Sequence, residues 1–195
     1  MNTILSMQFA GSEAKIVFRG YALSCLGMRV SNGEMSKKEE RELIRGYPLH
    51  RLDEDIESRY FPRAVARCAE VAQEMDRNVI DEDAVRAYFR FRHDRHVDKE
   101  ADAGMIRNRD YCKVWPGKVT EIRSDGHAVV RAPCYKWPKA YRTEFVKTAK
   151  KDDFVTIHRS FVSEIIDKET AYDMLTYKTV DPLQFCIFVD MLKGD

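Results

Sequence analysis

The periodicity of this chain changes character near residue 109. Before that point apolar residues recur every three or four positions, and after it they alternate over short runs bounded by turn residues. Val114 and Lys118 to Ile122 read as one strand interrupted by Pro116-Gly117, and Ser124-Asp125-Gly126 turns the chain into a second run, His127 to Ala132. Ala140 to Thr148, Asp153 to His158 and Phe161 to Ile166 supply three more. Five short strands between residues 114 and 166 suit a small closed barrel of the OB kind better than an open sheet, because closure removes exposed edges. Val119, Val129, Phe145, Val155 and Ile157 are the expected inner positions.

The first 108 residues read as a helical bundle. Ser12 caps a helix over Glu13 to Leu26 that Gly27 stops, and Ser36 with Glu39 forms a capping box that opens a charged surface helix. Val65, Cys68, Ala69, Ala72 and Met75 make an apolar stripe behind Pro62, which places Cys68 in a core. Asp81 caps a further helix carrying Val85, Tyr88 and Phe89 inward. His93 and His96 share a helical face, but Arg90, Arg92 and Arg95 would repel a metal cation there, so an exposed helix end is the expectation. Acids at the start of the Asp81 helix likewise speak against a DNA-reading helix. Residues 98 to 108, polar and containing Gly104, read as a linker. The expected organisation is therefore α+β: a helical domain over residues 1–108, a barrel over 109–167, and C-terminal helices over 168–195 that pack on the barrel or on the bundle. Asp167 and Asp181-Pro182 open those helices, and Cys186 falls on the broad apolar side of the second. Cys186 is accordingly expected in a core.

Composition narrows the classes. Lys plus Arg number 33 against 32 Asp plus Glu, for a net charge of +1, so the overall balance offers no case for a dedicated polyanion binder or an acidic tail. Residues 109–166 carry twelve basic against seven acidic side chains, a local surplus that solvated strand faces also explain. Cysteines fall at 25, 68, 112, 134 and 186, an odd number without C-x-x-C spacing, which argues against a disulfide framework and a tetrathiolate zinc site and points to a reducing cytoplasm. No basic, apolar leader and no long apolar run suggest export or a membrane span. No Ser-His-Asp, P-loop or G-x-G-x-x-G pattern supports an enzyme.

The stretch most charged with chemistry is Cys112-Lys-Val-Trp-Pro-Gly-Lys-Val119, a thiol directly ahead of the first strand, followed by Glu121-Ile122. A second stretch, Asp152-Asp153-Phe-Val-Thr-Ile-His158-Arg-Ser-Phe161-Val-Ser-Glu-Ile-Ile-Asp167, ends one strand in a histidine and opens the next. In order and separation the two stretches resemble the HypC/HupF hydrogenase assembly chaperones, with a Cys three residues before Pro-Gly-Lys-Val and a strand-end His followed by Phe. The resemblance covers residues 109–167 and implies an OB-like barrel that assists assembly of a nickel-iron hydrogenase metal centre. It implies Cys112 and His158 as the pair handling an iron unit, transiently bound and ligated by cyanide and carbonyl. Pro116, Gly117, Lys118 and Phe161 become partner-binding motif residues, and a HypD-like maturation protein or hydrogenase-like client the partner. A thiolate is a soft ligand suited to low-spin iron, and an imidazole can ligate beside it or steer its proton. The chain departs from the family in placing its Cys inside the sequence behind a helical domain, and in carrying Pro133-Cys-Tyr-Lys-Trp-Pro138 where a glycine-containing loop is usual.

A different class arises from the same strands. Tyr135, Trp137, Tyr141 and Arg142 interleave with Lys136 and Lys139, as on an OB surface that stacks single-stranded nucleic acid. Without an RNP-like motif, nucleic acid is the secondary expectation.

Overall fold

A computed structural model describes residues 7–47, 56–106, 108–178 and 182–193. The chain divides into two compact units, residues 1–92 and 93–195, so the boundary expected after residue 108 lies inside the second.

The first unit is helical. α1 (Ser12–Ala22) is capped by Gly11 without a side-chain bond, and the chain continues through a tight turn at Leu23–Cys25 into α2 (Leu26–Ser31). Gly27 therefore does not stop the helix as expected. It faces Glu40, whose carboxylate would lie 3.4 Å from an added Cβ. α3 (Lys37–Gly46) opens with the expected capping box, Ser36 accepting from the Glu39 amide. α4 (Ile56–Tyr60) and α5 (Pro62–Glu74) follow, Pro62 sitting in the first turn where its missing N–H costs nothing. α6 (Glu82–Ala87), capped by Asp81 through the Ala84 amide, runs into a wider π turn at Tyr88–Arg92. Phe18, Tyr21, Cys68, Ala72 and Phe89 are buried together. Phe18 meets Phe9, Phe61 and Phe89 edge-on at 5.2, 6.2 and 5.8 Å, and Tyr21 stacks on Phe89. Each such ring removes an apolar surface from water and adds oriented ring contacts. Arg19 and Glu57 pair inside this unit at 2.5 Å, so neither charge is buried alone. Met75, expected on the inner stripe, is over a third exposed because α5 ends at Glu74.

The second unit is mixed. α7 (His93–Asp102) ends at Gly104, whose φ of +77° suits a residue without Cβ, and the short α8 (Arg109–Cys112) is capped by Asn108 through the Tyr111 amide. The segment expected as a linker is thus helical over residues 98–102. β1 (Val114–Ile122), β2 (His127–Arg131), β3 (Lys139–Arg142), β4 (Phe154–His158) and β5 (Phe161–Ile166) close into a ring in the order β1-β2-β3-β5-β4. α9 (Lys168–Thr176), capped by Asp167, lies against β1 and β4, and α10 (Pro182–Lys193) packs on α9. The cap expected at Asp181 falls outside the described residues. The described C-terminal helices and the five-stranded sheet make this unit α+β.

β1 is continuous through Pro116-Gly117, contrary to the interruption expected. Pro116 opposes Thr156 and Gly117 opposes Val155 in β4, and an added Cβ at Gly117 would overlap Val130 Cγ1 and stand 3.1 Å from the Arg131 oxygen. The glycine keeps the strand in place by letting β2 come close. A bulge between Val119 and Glu121 resets the β1–β2 register, with Val119 opposite Val130. Consequently Ala128 and Val130 point inward and Val129, expected inside, does not. Trp115, Val119, Tyr141, Val155, Ile157 and Val162 complete the core with them. β3 is shorter than expected, and Phe145, beyond its end, stacks on Phe161 at 4.7 Å instead of filling the ring. Four seams of the ring are antiparallel ladders, while β3 and β5 meet in parallel at one pair, Arg142 and Phe161. Among the described residues no helix is long and apolar enough to cross a membrane.

Candidate thiol site at the start of the first strand

α8 exists because Asn108 caps it and because its last residues are tied to the turn between β4 and β5. That turn has two residues, Arg159 and Ser160, since His158 pairs directly with Phe161. Arg159 adopts φ +56°, a left-handed conformation that a non-glycine residue takes at some cost and holds only where contacts compensate. The compensating contacts all converge on α8. The Arg159 guanidinium lies over the Tyr111 ring at 4.8 Å, and its Nη1 donates to Cys112 Sγ at 3.2 Å. Tyr111 Oη and Ser160 Oγ share a hydrogen bond of 2.6 Å. His158 Nε2 lies 3.0 Å from the Cys112 carbonyl oxygen. A carbonyl only accepts, so Nε2 is the ring nitrogen that carries the proton.

The two residues singled out in the sequence therefore meet, but through the cysteine's main chain, while the residue on its sulfur is Arg159. Cys112 is 7 % exposed and His158 is fully buried. Arg159 forms no ion pair among the described residues, so its charge faces sulfur and ring. Hydrogen bonds from a charged donor are stronger than those between neutral groups, so the guanidinium orients the buried sulfur. Cys134 offers the contrast: burial, then the Asp110 carboxylate, push that thiol far up, and Cys68 is pushed up by burial. Both are packing residues in chemical character. Cys186, expected in a core, is exposed, because the α10 face that turns inward carries Phe188 and Leu192.

Behind His158 lies a group of which the sequence had singled out only His93. The His93 ring meets the His158 ring edge-on at 5.0 Å, and its Nδ1 is 3.6 Å from Asp94. His93 is thus mostly buried and no exposed helix end. Asp94 accepts from the Val114 amide at 3.2 Å and pairs with Lys178 at 2.6 Å. The Lys178 ammonium is 5.6 Å from the Trp115 ring, whose Nε1 donates to the Asp110 carbonyl. Burial pushes His93 down, with Asp94 opposing. Burial also works against Asp94, yet Lys178 and then His93 hold it down at about 2. Among the described residues no three His, Cys, Asp or Glu side chains cluster so as to hold a metal ion. One soft sulfur donor, presented by a cation, is what the arrangement provides.

Of the motif residues, Pro116 and Gly117 sit within β1, and Lys118 reaches Asp152 at 3.6 Å and the Phe154 ring at 5.6 Å. Phe161 is buried, with the Arg142 guanidinium 4.5 Å above it. The residues of the nucleic-acid expectation are dispersed in role. Tyr141 is 3 % exposed inside the ring and has no face for a base, and Arg142 is bound to Glu144 and Phe161. Tyr135 packs against the core with the Lys139 ammonium over it, which leaves Trp137, 69 % exposed, with Lys136 at 5.5 Å.

The signal for Arg159 was its place directly after the strand-end histidine. Lys178 carries no local signal, since it reaches His93 and Asp94 of α7 from beyond the end of α9. No family profile, no curated protein and no solved structure matches this chain.

Proposed function

We propose that the second unit is an OB-type barrel serving as a metallocentre assembly chaperone of the HypC kind, acting in the cytoplasm without catalysis of its own. The observation that carries the reading is the contact of Arg159 with the Cys112 sulfur, at the motif position where the resemblance expects a functional thiol. In this reading Cys112 is the residue that engages the cargo, an iron unit ligated by cyanide and carbonyl, or the partner that hands it on. The sulfur supplies a soft donor, and Arg159 sets a cationic N–H 3.2 Å from it. His158 acts as a positioning residue: its Nε2 donates to the Cys112 carbonyl and so holds the turn that presents the sulfur. Pro116 and Gly117 support the same edge from within β1.

The test is anaerobic co-purification with a HypD-like maturation protein, followed by iron analysis and infrared detection of cyanide and carbonyl bands. The full chain should retain partner and bands, Cys112→Ala should lose both, and His158→Gln should weaken them partially. Equal partner binding and iron content in Cys112→Ala would overturn the reading.

A further inference from the structure

Residues 131–136, which lead out of β2, face one side of α10 across a groove of about 350 Å³. One wall is Arg131, Tyr135 and Lys136; the other includes Leu183, Ile187 and Met191, spaced four apart and therefore on one helical face. The apolar wall is open to water, Leu183 being 69 % and Ile187 45 % exposed. Large apolar side chains left in water along one stripe mark a surface that something covers.

The opposite wall says what. Arg131 and Lys136 are the charged lining residues, both cations, and neither has a carboxylate partner among the described residues. A groove of this size admits two or three side chains, not a domain. An occupant that removes Leu183 and Ile187 from water while satisfying Arg131 and Lys136 must itself be apolar with carboxylates at its margin. Nucleic acid fits less well, because its phosphates could meet Arg131 and Lys136 but would leave Leu183 and Ile187 facing a polar backbone. We propose that this groove is a docking site for an acidic, apolar segment of another protein, laid along α10 with its carboxylates toward Arg131 and Lys136. None of the lining residues belongs to the thiol site, so the inference does not depend on the iron reading.

Fluorescence anisotropy on the full chain would use three probes: an amphipathic peptide with Leu on one face and Glu on the other, its twin with Lys for every Glu, and a single-stranded oligonucleotide. The Glu peptide should bind at least tenfold more tightly than its Lys twin. Ile187→Glu or Leu183→Asp should abolish that binding, the Arg131→Glu, Lys136→Glu double variant should invert the preference, and Cys112→Ala should leave it unchanged. Leu183 is exposed enough that its replacement spares the fold, which circular dichroism would check. The proposal is overturned by failure of the Glu peptide to bind, by equal binding of the twin, by indifference to Leu183→Asp, or by oligonucleotide binding that the same substitutions remove.

Discussion

His158 Nε2 donates to the main-chain oxygen of Cys112 across 46 residues of sequence, at 3.0 Å and fully out of water. This bond through the main chain of Cys112 joins the end of β4 to the end of α8, beside the contacts that Arg159 and Ser160 make with Cys112 and Tyr111. Replacing His158 by Phe would leave that buried carbonyl without its donor, at a cost of about 1–3 kcal/mol. The expected outcome is a lower denaturation midpoint together with faster alkylation of Cys112, read by mass spectrometry. Unchanged midpoint and alkylation would show the bond to be idle.

Arg159 sets the reactivity of the sulfur itself. Arg159→Gln keeps the backbone conformation but shortens the side chain and removes its charge, so iodoacetamide should label Cys112 about tenfold more slowly at neutral pH. Arg159→Lys should restore part of the rate. Equal rates in all three proteins would mean that the 3.2 Å contact does not favour the thiolate.

The Asp94–Lys178 pair shows how burial and attraction compete. Asp94 falls to about 2 as a paired carboxylate should, whereas burial pushes Lys178 down against the pull of Asp94. The 2.6 Å contact makes the ion pair the form that governs at neutral pH. Asp94→Asn preserves an acceptor for the Val114 amide but strands a buried ammonium, and should cost about 3 kcal/mol in chemical denaturation. Adding Lys178→Met should recover most of it. The carboxylate's contribution is present above its ordinary 3.8 and lost as pH falls toward 2.

A separate dependence belongs to His93, whose folded value lies below 6.5 chiefly because it is buried. It faces His158 of β4, Asp94 of its own helix and Lys178 beyond α9. The unfolded chain takes up a proton near 6.5 that the folded chain refuses, so stability is full above that pH and declines as pH drops toward the folded value. Denaturation midpoints at about pH 7.5 and about pH 5.5 should differ in wild type and differ less in His93→Gln. An equal slope in both would exclude His93 as its source.

Gly117 stands in the motif, yet its surroundings give a packing reason for it. Gly117→Ala would drive a methyl into Val130 and should cost about 1–3 kcal/mol. In a Val130→Ala background the same change should cost less, a coupling that a double-mutant cycle measures. If Gly117→Ala weakened partner binding at full stability, the motif's role would lie on the surface instead.

These relations explain what could be read from the chain and what could not. Caps were legible because Ser36, Asp81 and Asp167 each act on an amide three residues away. The strands near Val155 and Val162 were legible as short β-branched runs bounded by turn residues, although both bury several residues in a row instead of alternating. The inward set of β2 was misread because the bulge at Val119/Glu121 shifts register by contact with another strand. Cys112 and His158 were named together, but their link runs through a backbone carbonyl that no motif encodes. The pairing of Asp94 with Lys178 had no signature, since it is a product of α7 and the end of α9 meeting.

The single β3–β5 pair, Arg142 with Phe161, bears on how the ring breathes. Four sides are laced by several bonded pairs and the fifth is closed by one, clasped by the Arg142 guanidinium and the Phe145 ring on Phe161. Thermal opening will begin at that clasp and leave the hinge of ladders intact, much as a bracelet parts at its fastening. The Arg142 amide, bonded to the Ser160 oxygen, should then be among the first in the sheet to trade its hydrogen with water, and the turn that carries Arg159 should loosen with it.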